Sequence, residues 1–276
     1  LSRGYKRNTR GMVLVSKGKG PLEEWQNVGD EPFMLAKKTR NIPIVVDSNR
    51  SRGGLFLIKN FNTNIIILDD GFQHRSLSRD IDIVLINGLS HPSDYGFLSL
   101  SYLRETWNSL KRADAIIFTK TNPTTPLLNK IKKENIFYCN STFTNTITFP
   151  KNVNHRALEN KKVVLLSGIG DPKHFEKTAR DNRCIIVGEK ALRDHFIYTA
   201  ELLSEIIEFA ISLKADCILT TEKDWVKIGP LNPKFSFAVL KIELKLVGKN
   251  NIETFLGKHL NLDLSHTPSE NDTNKS

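Results

Sequence analysis

Asp69 and Asp70 follow four branched apolar residues, Ile65-Ile66-Ile67-Leu68, and precede Gly71-Phe72-Gln73-His74. An apolar run without polar alternation predicts a strand buried on both faces, the form that strands of a parallel sheet take. In open α/β sheets ligands sit at the carboxyl ends of the strands, which would put both carboxylates at a binding crevice. Mg²⁺ takes oxygen ligands, commonly one or two carboxylates plus substrate phosphates, so the pair is a candidate Mg²⁺ site of a phosphate-transferring fold, in the Walker B arrangement. The Asp70-Gly71 step is also a turn signal, and reversing the chain there needs no metal.

Asp30 is a further candidate, in Gly29-Asp30-Glu31-Pro32 ahead of a helical run from Phe33 to Thr39. Carboxylates and proline are favoured in a first helical turn, so on pattern alone Asp30 reads as a helix cap. Ile42 to Val46 predicts another buried strand, ending in Asp47-Ser48-Asn49-Arg50. His195, a lone histidine before Phe196-Ile197-Tyr198, reads by itself as structural. The opening segment carries Arg3, Lys6, Arg7 and Arg10 around Gly4, a basic loop that would attract phosphate or simply meet solvent. Gly18-Lys19-Gly20-Pro21 lacks the G-x-x-x-x-G-K-[ST] spacing, which occurs nowhere in the chain. Ser167-Gly168-Ile169-Gly170-Asp171-Pro172 fails as a dinucleotide fingerprint because Lys173 occupies the third glycine position.

The elements that must carry these residues alternate. Strands are predicted at Met12–Val15, Ile81–Ile86 and Ala115–Thr119 besides those above, with a helix over Leu103–Arg112 and the sheet extending to about Phe137. Strands separated by helix-length connections indicate an α/β fold with a doubly wound parallel sheet, helices on both faces. Composition shifts to Thr, Asn and Lys between Thr142 and Asn160, which predicts a linker. A smaller α/β unit follows from Lys162: strands at Lys162–Ser167, Cys184–Val187, Cys217–Thr220 and Phe235–Leu244, a strong amphipathic helix over Thr199–Leu213, and a short helix over Ile252–His259. The expected domains are therefore 1–141, a linker at 142–161, a C-terminal α/β domain at 162–262 and a disordered tail at 263–276.

Forty basic and thirty acidic residues among 276 leave a net charge of +10, which suits nucleic acid, nucleotide phosphates or an anionic membrane surface. A nucleic-acid binder needs aromatics interleaved with a basic stripe, and no such stripe occurs, so no nucleic-acid partner is expected. Cys139, Cys184 and Cys217 form no C-x-x-C pair, which points to a reducing setting rather than a zinc or disulfide framework. No apolar run approaches the roughly 18 residues of a spanning helix, and no signal peptide is visible.

Several motifs then coincide in order: Leu1-Ser2-Arg3-Gly4-Tyr5, Gly29-Asp30-Glu31-Pro32, Asp69-Asp70-Gly71-Phe72-Gln73-His74, Arg79-Asp80, Leu103-Arg104-Glu105, Arg112-Ala113-Asp114 and Thr221-Glu222-Lys223-Asp224. Together they resemble the tetraacyldisaccharide 4'-kinase family, from Leu1 to about Leu260. The resemblance implies a P-loop-kinase-like fold and transfer of the ATP γ-phosphate, with Mg²⁺, to the 4' hydroxyl of an acylated glucosamine disaccharide, the lipid A precursor. It implies that Asp69 and Asp70 hold the metal and nucleotide, that Asp30 is the general base and that His195 pairs with it. It places Arg3, Tyr5, Glu31, Arg50, His74, Arg104 and Glu105 around the substrate.

The family's Walker A loop lies shortly before the Leu-Ser-Arg-Gly-Tyr motif, at which this sequence starts. Residues 1–276 by themselves are accordingly expected to bind ATP poorly, as a fragment of an active kinase or, alternatively, as a non-catalytic remnant that binds anionic lipid or a protein partner. Phe97-Leu98-Ser99-Leu100-Ser101 and Thr106 depart from the family's Leu-Leu-Pro-x-Gly and Pro. The implied location is peripheral, on the cytoplasmic face of the Gram-negative inner membrane, or soluble in the cytoplasm if the family's amino-terminal helix is absent.

Overall fold

The structure, a computed structural model, describes residues 1–88, 105–120, 135–149, 158–248 and 251–260. It divides into two compact units, Leu1–Gly71 with Phe143–Ile242, and Phe72–Thr142 with Glu243–Ser276. The first unit opens with strands β1 (Val13–Lys17) and β2 (Pro43–Val46), paired antiparallel, and helices α1 (Trp25–Val28), α2 (Asp30–Lys38) and α3 (Arg50–Phe61). Asn49 caps α3 by accepting the Arg52 N–H at 3.0 Å, and Asn62 ends it in the left-handed conformation.

In the second half of the chain lie β6 (Lys162–Ser167), β7 (Ile185–Ala191), β8 (Cys217–Thr221) and the start of β9 (Phe237–Val247), a parallel array ordered β9-β8-β6-β7. Their side chains alternate between two cores. Val163, Leu165, Cys217, Leu219 and Ala238 pack with Phe175 and Ala179 of α4 (Pro172–Asp181). Val164, Leu166, Ile218 and Phe237 pack with Leu203, Ile206 and Ala210 of α5 (Ala200–Ser212). Both faces of β6, β8 and the start of β9 are covered, which is why these read as apolar runs, while β7 at the edge is largely open. Helix α6 (Glu222–Ile228) follows β8 directly, and its Val226 joins Val15, Val28 and Phe33 in the core of the N-terminal segment. Lys38 and Glu222 seal the same seam at 2.5 Å.

The second unit holds β3 (Ile83–Asn87), β4 (Ala115–Thr119) and the start of β5 (Ile136–Phe149), again parallel. Ile116 and Phe118 pack with Trp107 and Leu110 on one face; Ala115 and Phe137 pack with Phe255 of α7 (Ile252–Leu260) on the other. The fold is thus α/β, with parallel strands covered by helices on both faces, as the strand and helix alternation predicts.

Three local expectations are corrected. Ile65–Leu68 is extended but not a doubly buried strand: Ile65 and Ile67 are 48% and 80% exposed, while Ile66 and Leu68 are half-buried. One face is covered, Ile66 lying against Gly54 of α3. The described end of the Leu103–Arg112 helix is a 3-10 turn over Trp107–Arg112. Residues 142–149, expected in a linker, continue β5, because Thr and the aromatic residues there suit an extended backbone. Phe97 to Arg104 and residues 263–276 lie outside the described residues.

Candidate active site

Asp30 is the first residue of α2 and is 5% exposed. The capping position before it belongs to Gly29, whose φ of 95° favours glycine, and a Cβ there would stand 3.2 Å from the Tyr5 carbonyl. Gly4 has φ 68° and lies against the same glycine, so two bare backbones meet and the basic opening segment runs across the start of α2. Asp30 therefore does not cap its helix. Its Oδ1 accepts the Glu31 N–H at 2.9 Å, and both oxygens face His195, whose Nδ1 lies 3.2 Å from Oδ1 and 3.0 Å from Oδ2.

His195 comes from a turn after β7, in the left-handed conformation with φ 59°. Its backbone N–H donates to the Gly168 carbonyl just beyond β6 at 3.3 Å and to Asp194 Oδ1 at 2.9 Å. Tyr5 meets the imidazole edge to face, centroids 5.3 Å apart. A pair of residues 165 positions apart is thus held by backbone bonds at one end and by a glycine contact at the other.

Helix α6 supplies the surroundings. Lys223 Nζ lies 3.3 Å from His195 Nε2, 3.0 Å from Glu31 Oε1 and 3.1 Å from Asp194 Oδ1. One turn on, Lys227 is 3% exposed, with Nζ 3.7 Å from Asp30 Oδ2 and 3.3 Å from Asp224 Oδ1. Asp224 is fully buried, its Oδ2 accepting from the Gly168 N–H at 3.0 Å and the Thr221 hydroxyl at 2.8 Å. Burial alone would lower the affinity of the Lys223 amine for its proton, but hydrogen bonding to Glu31 and the surrounding carboxylates outweigh it and raise its pKa. Burial likewise pushes the Asp194 carboxyl up, and Lys223 overcomes this to hold it below the usual range. Tyr198, buried beside Asp224, has its phenol pushed well up by burial and by that carboxylate.

Asp69 and Asp70 are exposed and belong to a separate cluster in the same unit. The Asp69 N–H donates to the Leu1 carbonyl at 2.9 Å and Leu1 nitrogen to the Ile67 carbonyl at 2.8 Å, while Ser2 bonds in the same way to Val45 and Asp47. Leu1-Ser2 thus lies as a parallel strand segment between β2 and the Ile65–Asp69 stretch. Arg50, 4% exposed at the start of α3, donates to the Asp47 carbonyl but its buried Nε has no protein partner. Burial and the nearby Arg3 pull the Arg50 pKa down, and Asp69, Asp70 and Asp47 oppose them. Arg3 at this cluster and Tyr5 at His195 are two residues apart, so their Cα atoms are separated by at most about 7 Å.

His74 and Glu105 belong to the other unit. There Glu105 accepts from Arg112 at 3.0 Å and, at 3.5 Å, from Arg75, and the His74 imidazole contacts the Ser76 hydroxyl at 3.3 Å. Arg104 lies outside the described residues. Among the described residues no group of three or more His, Cys, Asp or Glu side chains converges as a metal site.

The sequence profile described as tetraacyldisaccharide-1-P 4'-kinase matches residues 1–261. The chain belongs to this kinase family. The tetraacyldisaccharide 4'-kinase of Chlorobaculum parvum is 34% identical over 86% of the chain and 67% of the relative, and that of Halothermothrix orenii 29% identical over 94% and 75%. A crystal structure of LpxK from Aquifex aeolicus in complex with ATP superposes with a TM-score of 0.68 at 26% identity, covering 94% of this chain and 76% of that one.

In this family member, sequence reasoning missed the parts that α6 contributes. Lys223, Asp224 and Lys227 received no role, although Thr221-x-x-Asp224 carries a visible helix-start signal: the Asp224 N–H donates to the Thr221 hydroxyl at 3.1 Å. Nor does the sequence single out Asp194, the chain neighbour of His195.

Proposed function

We propose that the chain transfers the γ-phosphate of ATP to the 4' hydroxyl of an acylated glucosamine disaccharide, a lipid A precursor, with Asp30 as the general base. The observation that carries this reading is the buried Asp30–His195 contact in a chain of the tetraacyldisaccharide 4'-kinase family. A sugar hydroxyl is a weak nucleophile until its proton leaves, and a fixed carboxylate within reach can take it as the oxygen bonds to phosphorus and ADP departs. His195 orients that carboxylate through two contacts, so the oxygen lone pair left free is aimed rather than mobile.

The chemistry of phosphoryl transfer is mainly positioning and charge neutralisation. Arg50, buried with an unpartnered Nε beside Asp69, Asp70 and Arg3, suits a phosphate oxygen. Two adjacent, exposed carboxylates fit Mg²⁺, which Asp69 and Asp70 would hold together with nucleotide phosphate oxygens and which would neutralise charge on the transferred group. Tyr5 and Glu31 border the Asp30–His195 pair and are assigned to the acceptor, as are His74, Arg104 and Glu105 on the family resemblance. No helix among the described residues is long and apolar enough to cross a membrane, and a lipid acceptor makes peripheral contact with the inner membrane the proposed mode of access.

The test uses the protein expressed from its complete reading frame, with Mg-ATP labelled at the γ-phosphate and the disaccharide in detergent micelles. Labelled lipid should form, and Asp30→Asn should lower turnover by about 10²- to 10⁴-fold. Wild-type rates in both Asp30→Asn and His195→Ala would remove these residues from the chemistry.

A further inference from the structure

The contact between Lys223 Nζ and His195 Nε2, at 3.3 Å, constrains the imidazole. An ammonium carries three donors and no acceptor, so the contact is a hydrogen bond only when Nε2 presents its lone pair. A neutral imidazole then carries its proton on Nδ1, the nitrogen facing both oxygens of Asp30. The competing arrangement is on the page as well: Asp194 Oδ2 lies 3.7 Å from Nε2 and would favour a proton there. In that tautomer the Nδ1 lone pair would face carboxylate lone pairs, and Asp30 would lose its imidazole donor and keep the Glu31 N–H.

Two features decide between them. Asp194 Oδ2, at 3.7 Å, stands beyond hydrogen-bonding distance of Nε2, and the carboxylate is fixed through its other oxygen, Oδ1, by Lys223 at 3.1 Å and the His195 backbone N–H at 2.9 Å. Lys223 is tethered from the other side by Glu31 at 3.0 Å, and its side chain is only 16% exposed. The ammonium is therefore held in place by carboxylates that flank it, and its direction toward Nε2 does not depend on a freely rotating chain end.

We propose that Lys223 is a positioning residue that holds His195 in the Nδ1–H tautomer and so directs the histidine's hydrogen bond onto Asp30. The effect on rate rests on the phosphotransfer reading above; the tautomer itself does not. Removing the amine frees Asp194 to take the proton at Nε2, which turns the imidazole's donor away from Asp30.

The experiment is long-range ¹⁵N–¹H correlation on the protein labelled with ¹⁵N-histidine, the His195 signals assigned by their loss in His195→Gln, in parallel with steady-state kinetics. Wild type should show His195 protonated at Nδ1. Lys223→Met should move the proton toward Nε2 and lower kcat by about 10- to 100-fold, the range for losing a group that orients a catalytic side chain. KM for ATP should stay unchanged, and Lys223→Arg, which keeps a donor, should restore both tautomer and rate. A wild-type Nε2–H tautomer, or an Nδ1–H tautomer that survives Lys223→Met, would overturn the proposal even if kcat fell. A tautomer that shifts without any change in kcat would support the proposal and count instead against the Asp30–His195 pair as catalytic machinery.

Discussion

Lys227→Met keeps the aliphatic stem and deletes an ammonium that stands 3.3 Å from Asp224 Oδ1 and 3.7 Å from Asp30 Oδ2. The three side chains are 1%, 0% and 6% exposed, so water cannot replace the lost charge. At an effective dielectric of about 20, the two attractions are about 5 and about 4.5 kcal/mol before solvation is counted. Lys227 escapes its own burial cost when it is removed, and the net penalty for breaking a buried pair by deleting one partner is about 3–5 kcal/mol. Asp224 retains the Gly168 N–H and the Thr221 hydroxyl, which puts the expected loss at the lower end, about 3 kcal/mol. Urea unfolding followed by tryptophan fluorescence suits the measurement because Trp225 lies in the same helix. With a slope of about 1–3 kcal/mol per molar urea, the midpoint should fall by about 1 M or more. Adding Asp224→Asn to the Lys227→Met variant should recover part of the loss, since one stranded carboxylate disappears with it. A midpoint within about 0.2 M of wild type, where the same slope leaves well under 1 kcal/mol, would refute the idea that this ammonium is the counter-charge of both acids.

Gly29→Ala forces a side chain into φ 95° with its Cβ 3.2 Å from the Tyr5 carbonyl; we expect a loss of about 1–3 kcal/mol in the same unfolding experiment and a lower kcat, because both Tyr5 and Asp30 must shift. An unchanged kcat would show that this glycine contact does not position the pair. Burial raises the thiol pKa of Cys184 to about 11 and of Cys217 to about 12, against 9.0 for the free group. Between pH 9 and 11 the unfolded chain therefore binds fewer protons than the folded one, and stability should fall as pH rises, with buried Tyr198 adding to the same trend. Midpoints measured across that range should fall less steeply in a Cys184→Ser, Cys217→Ala variant; an equal slope would show that the thiols do not contribute.

Legibility in the sequence followed the way each element is covered. Lys162–Ser167 and Cys217–Thr220 are buried on both faces, and their continuous apolar runs announced it. Ile65–Leu68 has the same composition, yet only one of its faces is covered, because composition records hydrophobicity and not what packs against it. Helix α3 was unreadable for a local reason: Gly53-Gly54 interrupts its pattern, and Gly53 is there for close approach, the Leu1 side chain lying 2.7 Å from where a Cβ would sit. Helix α6 is short, and its apolar residues serve two cores, Ile228 the strand core and Val226 the N-terminal one, so it shows no single apolar stripe.

Local sequence by itself determined the elements whose bonds close within a few residues, Asp171, Thr199 and Thr221 starting α4, α5 and α6, and the unbroken apolar run that lets β6 fill two cores. It also supplied the motifs by which family membership is recognised. What the tertiary structure alone decided is which charges meet. Asp30 reads locally as a helix-starting acid and His195 as an isolated ring, and neither carries a mark of the other 165 residues away. The fold brings them together and adds Lys223 and Lys227 because desolvation acts in three dimensions. A buried carboxylate requires compensating partners, and the chain positions that supply them are set by how α2, the turn after β7 and α6 pack, not by their spacing in sequence.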